Sequence, residues 1–295
     1  MAYHFHHGES VPEGVRRIAA EQLEGAIQEL TSGKQRDEAI HEARKSVKKT
    51  RALLRLVRYE LGEVFAGENV RLRDAGHALS EFRDAAAAIE TFDQLREKFR
   101  GEFGASPLAG VRRGLLLEKK RAERAGNVKQ AAAKISARLS GIARRVNRWP
   151  LDRHGFEAIA PGLERTFRDG RKAMKAARRR PRPENFHEWR KRVKDHWYHV
   201  RLLEHVWDEM MKGLEASLKQ LEDWLGTDHN LEVLRAKVNA NPARYGPKAD
   251  IDTLMHLIDR YQKELRGCSL EMGDRIYLER PSQFLQRMER LWEAW

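Results

Sequence analysis

The sequence predicts an all-α protein of two tandem four-helix bundles, and three observations lead to this fold class. Strand-like alternation is nearly absent, while Ala, Leu, Glu, Arg and Lys dominate most segments. The phrase His-Glu-x-Arg-Lys-x-Val-Lys occurs at His41 to Lys48 and again at His187 to Lys194, an offset of 146 residues. Breaks containing Gly and Pro divide the two halves in a similar way. An offset of this length indicates duplication of a domain-sized unit.

The apolar periodicity and the breaks give the helices of each half. In the first half they predict helices at about 10–31, 37–65, 68–100 and 107–147, with a break near Gly67. In the second half they predict helices at about 154–179, 185–211, 214–239 and 248–278, a break near Gly213, and a short helix after Pro281. Long helices joined by short turns are typical of an up-and-down bundle. We therefore expect one bundle in residues 1–149 and another in 150–295, related by pseudo-twofold symmetry.

Composition favours an anionic partner. The 57 Lys and Arg residues exceed the 44 Asp and Glu residues, which gives a net charge of +13 over 295 residues. The single cysteine cannot close an intramolecular disulfide, so a reducing cytoplasm is the expected location. No apolar run approaches the length of a membrane span, and no secretory signal is apparent.

Each copy of the repeated phrase lies on an amphipathic helix whose polar face is almost purely cationic. At about 100° per residue, the cations that follow each histidine share an arc of about 120° with it. The two cationic stripes are His41, Arg44, Lys45, Lys48, Arg51 and Arg55, and His187, Arg190, Lys191, Lys194 and Arg201. A further stripe on the first helix of the second half comprises Arg165, Arg168, Lys172, Lys175 and Arg179, and Arg17 is the counterpart of Arg165.

Cations spaced three and four residues apart on a helix repel one another, and the arcs themselves carry no carboxylates. Arg forks and Lys ammonium groups arranged in this way suit a ligand with many closely spaced negative charges, such as phosphates. The alternatives are a solvated basic face, or cations paired with carboxylates on neighbouring helices. The histidine at the start of each stripe could donate a ring N–H to a phosphate oxygen, with its protonated form favoured near a polyanion.

Several ordered motifs together resemble the CHAD family, the conserved histidine α-helical domain, over nearly the whole chain. They are the doubled His-x-x-Arg-Lys-x-x-Lys helix, the Arg83–Asp84 pair, the Arg165-x-x-Arg168 helix and the closing segment from Pro281 to Trp292. The resemblance implies two four-helix bundles with a basic groove or channel between them that binds inorganic polyphosphate. It also implies possible fusion partners of the triphosphate tunnel metalloenzyme type in other members, and an association of some members with polyphosphate or polyhydroxyalkanoate granules.

Carried over by position, the resemblance implies phosphate contacts from the two repeated stripes and from the first helix of each half. These residues are His41, Arg44, Lys45, Lys48, Arg51, Arg55, His187, Arg190, Lys191, Lys194, Arg201, Arg17, Arg165, Arg168 and Lys172. Two departures from the family pattern fall in the second half. Trp197 stands where an arginine is usual, and Asn230 stands at the position equivalent to Asp84.

Three other functions were weighed against polyphosphate binding. His196, His199 and His205 could be imagined as metal ligands, but the second histidine of a His-Glu-x-x-His motif is absent and the cations oppose a divalent ion, so neither metal nor cofactor is expected. No phosphate loop, activated nucleophile or Mg²⁺-binding acidic cluster is visible, so we expect no catalysis. Nucleic-acid binding is the stronger rival, although only Trp197 and Tyr198 lie near a stripe as candidate stacking groups.

Overall fold

The computed structural model describes residues 3–32, 36–80, 84–102, 108–125 and 128–295, and no strand occurs in these ranges. Its helices are α1 (Val11–Thr31), α2 (Arg36–Leu56), α3 (Arg58–Leu61), α4 (Glu63–Ser80), α5 (Asp84–Lys98), α6 (Ala109–Ala125), α7 (Val128–Val146), α8 (Ala160–Arg179), α9 (Pro183–Leu202), α10 (Asp208–Ala240), α11 (Lys248–Ile276) and α12 (Pro281–Ala294). Single 3₁₀ turns occupy Arg100–Glu102, Phe156–Ala158, Glu204–Val206 and Pro242–Arg244. The predicted all-α class is confirmed.

The helix boundaries of the first half differ from the predicted ones at two glycines. The predicted break at Gly67 is wrong, because Gly67 lies inside α4. The chain instead turns at Gly62, whose φ of 50° is in the left-handed region that favours glycine. As a result the predicted helix 37–65 is divided into α2, α3 and the start of α4. The segments 81–83 and 126–127 lie outside the described residues, and with them Arg83.

A similar correction applies to the second half. The predicted break at Gly213 is wrong, because Gly213 lies in the interior of α10 on its exposed side. The division falls earlier, where α9 ends at Leu202 and the 3₁₀ turn Glu204–Val206 leads into α10. A single exposed glycine lowers helix stability by only about 1 kcal/mol, which a 33-residue helix packed along its length tolerates.

The larger hydrophobic core joins both halves of the chain. In the first half α1 packs on α2 and α7, and α4 packs on α2 and α7. In the second half α9 lies between α8 and α10, and α12 covers α8. Because α2 also contacts α8 and α9, the buried side chains of these helices form one continuous cluster.

A second core is also built from both halves. Helices α5 and α6 of the first half enclose it with α11 and the C-terminal part of α10, around buried Phe92, Leu234 and Tyr245. Each core therefore contains helices from both sides of residue 149. The division into bundles at 1–149 and 150–295, and the pseudo-twofold symmetry, remain predictions from the sequence repeat.

The two halves meet most closely where α8 passes the end of α2. A Cβ atom added to Gly162 would lie 1.9 Å from the carbonyl oxygen of Leu56, so only glycine allows this approach. Nearby, the buried His199 Nε2–H donates to the carbonyl oxygen of Ala52, at 2.8 Å. Burial lowers the pKa of His199 to about 4, so this ring is neutral near pH 7 and serves as an internal donor between the halves.

Candidate functional site

A groove of about 520 Å³ lies where α2 and α5 of the first half meet α9 and α10 of the second. Six of the predicted site residues line it: His41, Arg44, Lys45, Lys48, Arg190 and Lys194. Its other ionisable lining residues are Asp84, Glu90, Lys219, Glu222 and His229. Six Lys and Arg side chains thus face three carboxylates, which leaves an excess of positive charge.

Lys48 is the least compensated cation of the groove. Its pKa is lowered to about 7, first by burial and then by the positive charges of Lys194, Arg44 and Arg190, while Glu222 acts weakly in the opposite direction. Within the described residues the side chain of Lys48 makes no hydrogen bond or ion pair. Charges from both repeated helices therefore act on Lys48, which is only partly protonated near pH 7.

Lys194 has the same place in the second repeat but a different environment. Its Nζ donates to Glu222 Oε1 at 2.8 Å, and Arg190 Nη2 lies 3.2 Å from the same oxygen. Burial acts to raise the pKa of Glu222, but Lys194 and Arg190 together hold it below its usual value. The offset of 146 residues places Gly76 at the position equivalent to Glu222, so the first repeat has no such carboxylate.

Three further residues of the first repeat, Lys45, His41 and Arg44, line the groove. Lys45 Nζ lies 3.2 Å from Glu42 Oε2, with both side chains more than a third exposed. The His41 ring, half-exposed, has its Nε2 3.9 Å from the other oxygen of Glu42. Arg44 Nη1 donates to Ser80 Oγ at the end of α4. About half of the His41 and Lys45 side chains is exposed to solvent, and Arg44 is partly buried.

His187 and Lys191 of the second repeat are displaced from the groove lining. The His187 ring stacks on the ring of His229, with 4.0 Å between centroids. Burial, followed by the charges of Lys191 and Arg190, lowers the pKa of His187, and burial with His187 lowers that of His229 to about 4. Both rings are therefore neutral near pH 7 in the absence of ligand. Lys191 points to Glu188, 3.1 Å away.

Three arginines at the C-terminal ends of the stripes join helices rather than line the groove. Arg55 Nη1 donates to Asp195 Oδ1 at 2.8 Å and so links α2 to α9. Arg201 Nε lies 3.1 Å from Glu215 Oε1, with its guanidinium 5.4 Å from the Trp197 ring centroid. Arg51 Nε is 3.3 Å from the Oδ1 atom of Asn69. Burial, then the charge of Arg55, lowers the pKa of Arg51 to about 10.

The residues of the first helices lie apart from this groove. Arg17 forms a two-point ion pair with Glu9, at 2.7 Å and 2.8 Å, which fixes the N-terminal segment on α1. Arg165 donates to Tyr59 Oη at 3.2 Å. Arg168 and Lys172 line a different groove on α8. Helical periodicity correctly placed Arg165, Arg168 and Lys172 on one face of α8. That face of α8, and Arg17 on α1, point away from the groove between α2 and α9.

The aromatic groups of the groove are packed rather than open. Trp197 and Tyr198 are 9 % and 3 % exposed, with their ring centroids 4.8 Å apart. Lys194 and Lys219 lie 5.8 Å and 5.7 Å from the Trp197 ring centroid. Two rings so deeply covered leave little face on which a nucleic-acid base could stack.

The three histidines that the sequence offered as conceivable metal ligands make other contacts. His196 and His199 are fully buried, and His199 is engaged with the Ala52 carbonyl. His205 Nδ1 lies 2.8 Å from Asp208 Oδ1 near the surface. In the described part of the chain no three His, Cys, Asp or Glu side chains converge as a metal site would require.

Four acidic, basic or histidine residues of the groove were not singled out from the sequence: Glu90, Lys219, Glu222 and His229. Glu90 lies on α5 and the other three on α10, whose face toward the groove is mixed in charge and carries no repeated motif. Comparing the two halves at the offset of 146 would have marked Glu222, because a carboxylate there replaces a glycine.

A model of a known protein family covers most of the chain, including the helices of the groove. The family model for the CHAD domain matches residues 17–239, which is well over half of the chain. The chain belongs to the CHAD family. All four groove-forming helices α2, α5, α9 and α10 lie within the matched range, apart from the last residue of α10.

This CHAD protein also resembles a solved structure described as PptA from Streptomyces chartreusis. The TM-score is 0.55 and the sequence identity 13 %, and the superposition covers 92 % of this chain and 100 % of that one. At this identity the likeness concerns the fold alone. A search of curated proteins by sequence found no match. Among the described helices, none combines the length and the apolar character needed to cross a bilayer.

Proposed function

We propose that the groove between α2, α5, α9 and α10 binds inorganic polyphosphate without catalysing its breakdown. The observation that carries the proposal is the meeting of Arg44, Lys48, Arg190 and Lys194, from both halves of the chain, in one groove with uncompensated positive charge. Like charges this close are unfavourable unless an anion neutralises them. A chain of phosphates supplies closely spaced, equivalent oxygens to Arg forks and Lys ammonium groups.

Membership of the CHAD family supports the same ligand, since polyphosphate is what the family resemblance implied from the sequence. A protein that binds such a polymer would also be retained at cytoplasmic polyphosphate granules. Granule association is thus a consequence of the proposal, and it requires no separate targeting segment.

Direct binding measurements with matched variants test the proposal. Replacing Lys45 and Lys48 together by Gln should weaken binding of long-chain polyphosphate at least tenfold. Replacing Lys212 and Lys248 by Gln removes two lysines outside the groove, whose side chains are 57 % and 86 % exposed. This control pair should bind within twofold of the wild type. Equal losses in both variants would mean that net charge alone governs binding.

Nucleic-acid binding is the alternative, because any basic groove attracts phosphodiesters. The deep burial of Trp197 and Tyr198 argues against base stacking. Competition decides between the two ligands: short single-stranded oligonucleotides should fail to displace polyphosphate at equal phosphate concentration. Displacement at comparable concentrations would favour the nucleic-acid function. Release of phosphate or shortening of the polymer by the pure protein would contradict the proposed absence of catalysis.

A further inference from the structure

A second basic groove, of about 490 Å³, lies on the outer face of α8 beside the start of α12. Its lining residues are Arg168, Arg171, Lys172, Lys175, Ala176, Arg179 and Pro281. None of them lines the groove between α2 and α9, so the two grooves have no residue in common.

The charge of the α8 groove is entirely of one sign. Of the described residues, five cations and no carboxylate line it, whereas three carboxylates line the groove between α2 and α9. Among the described residues, the side chains of Lys172, Lys175 and Arg179 make no hydrogen bond or ion pair. These three side chains are exposed and free to reorient toward a ligand.

The remaining two cations are only partly engaged. Arg171 Nε donates to the carbonyl oxygen of Tyr277 at 3.2 Å, which fixes its guanidinium at the edge of the groove. Arg168 Nη1 is 3.8 Å from Glu164 Oε2, beyond hydrogen-bond length. Both guanidinium groups therefore retain donors that an anion could accept from.

The spacing of these cations suits an extended ligand. They recur about once per turn from Arg168 to Arg179, which spans about 16 Å along the helix axis. Like charges at three- and four-residue spacing destabilise an isolated helix, so a bound polyanion would relieve their repulsion. A single phosphate could neutralise one turn only, whereas a chain of phosphates could follow the whole row.

The residues in and beside the α8 groove narrow the choice of ligand further. The described residues that line the groove include the small Ala176 and no aromatic side chain, so they offer bases no stacking surface. On one flank, Lys172 and Ala176 also border a pocket that contains Asp169 and Glu188. These carboxylates would repel an anion from that flank and confine it to the side of Arg171 and Lys175.

We propose that the α8 groove is a second binding site for a linear chain of phosphates, separate from the groove between α2 and α9. It shares a ligand class with the proposed function but none of its residues. A long polymer engaged at both grooves would gain affinity through effective concentration, while a chain too short to reach both would not.

Calorimetric titration with a short, defined polyphosphate tests this second site. The wild type should show two binding events per protein molecule. The Lys175→Gln and Arg179→Gln double variant should lose one of them, while the control pair at Lys212 and Lys248 should retain both. Because Gln is a good helix former, both positions are exposed and two like charges are removed, the helical content and Tm of the double variant should be at least those of the wild type.

The outcomes separate this inference from the proposed function. Loss of one event in the α8 variant and of the other in the Lys45→Gln and Lys48→Gln variant supports both sites. A stoichiometry of one, unchanged in the α8 variant and abolished in the Lys45 and Lys48 variant, overturns the α8 site alone. Binding abolished in the α8 variant but intact in the Lys45 and Lys48 variant supports the α8 site and contradicts the proposed function.

Discussion

Lys48 and Lys194 occupy equivalent positions of the repeat, yet a single carboxylate makes them chemically different. Lys194 is neutralised by Glu222, which is 6 % exposed, whereas the equivalent of Glu222 in the first half is Gly76. Burial is the largest cause of a lowered pKa at both lysines, but of the two only Lys194 has a carboxylate in contact, so Lys48 has more to gain from an anion. The repeat alone predicted two similar cations, because the carboxylate that distinguishes them lies outside the repeated phrase.

Polyphosphate affinity should depend on pH through Lys48. Its pKa in the free protein is about 7, and a bound polyanion would raise it, so binding above pH 7 must take up a proton. Affinity should then fall between pH 7 and 9, by at most about tenfold per pH unit from this group. The wild-type slope should therefore exceed that of the Lys48→Met variant, as measured by calorimetry at several pH values. Equal pH slopes for the wild type and the Lys48→Met variant would show that Lys48 does not cause the pH dependence.

Replacing Glu222 by Gln should strengthen polyphosphate binding while weakening the fold. Removing one partner of a fully buried pair costs about 3–5 kcal/mol, and since Arg190 and Lys194 are about a fifth exposed we expect about 2 kcal/mol. Two cations released from Glu222 would then be available to phosphate. Thermal unfolding and binding titration measure the two effects. A folded Glu222→Gln variant with weaker binding would show that Glu222 orients these cations rather than competing with the ligand.

At the scale of helices, periodicity predicted which side chains share a cationic face, but it did not predict which part of the molecule that face meets. The arcs of α2 and α9 correctly brought Arg44, Lys48, Arg190 and Lys194 toward a common groove, because their opposite faces are strongly apolar. The family resemblance grouped Arg17 and Arg165 with them, although α1 and α8 turn those residues elsewhere. Which surface a face meets is decided by tertiary packing, and no local pattern records it.

The contact between α8 and α2 can be tested through Gly162. A methyl group there would lie 1.9 Å from the Leu56 carbonyl oxygen, so the helices must separate. We expect Gly162→Ala to lower the free energy of unfolding by about 1–3 kcal/mol, as overpacking does. Gly213→Ala is the matched control, because nothing lies within 4 Å of its added Cβ, and it should be neutral or stabilise by up to about 1 kcal/mol. Equal Tm values for the two variants would show that the halves do not pack as described.

Across the whole molecule, the two halves share their cores as well as their site. The cluster around α2, α8 and α9 and the cluster around α5, α6, α10 and α11 each draw on both halves. The sequence predicted duplication and helical content, because both follow from local pattern. The sharing of cores could not be read from it, since each amphipathic helix is equally satisfied by an apolar partner from either half.

Salt dependence should report on the groove as a unit. Each phosphate contact that releases a counterion steepens the fall of log affinity with log salt by about 0.7 for a single strand. The Lys45→Gln and Lys48→Gln variant should therefore show a slope shallower by roughly 1.4 if both contacts are lost. The control variant at Lys212 and Lys248 should keep the wild-type slope. Titrations at four or more salt concentrations give the comparison, and an affinity insensitive to salt would contradict electrostatic binding.

The most direct test of the central claim is a crystal structure of the protein with polyphosphate bound. We predict phosphate groups along the groove between α2 and α9, within hydrogen-bond distance of Lys48 and of at least one of Arg190 and Lys194. Phosphates bound elsewhere on the protein, with this groove free of ligand, would contradict the account.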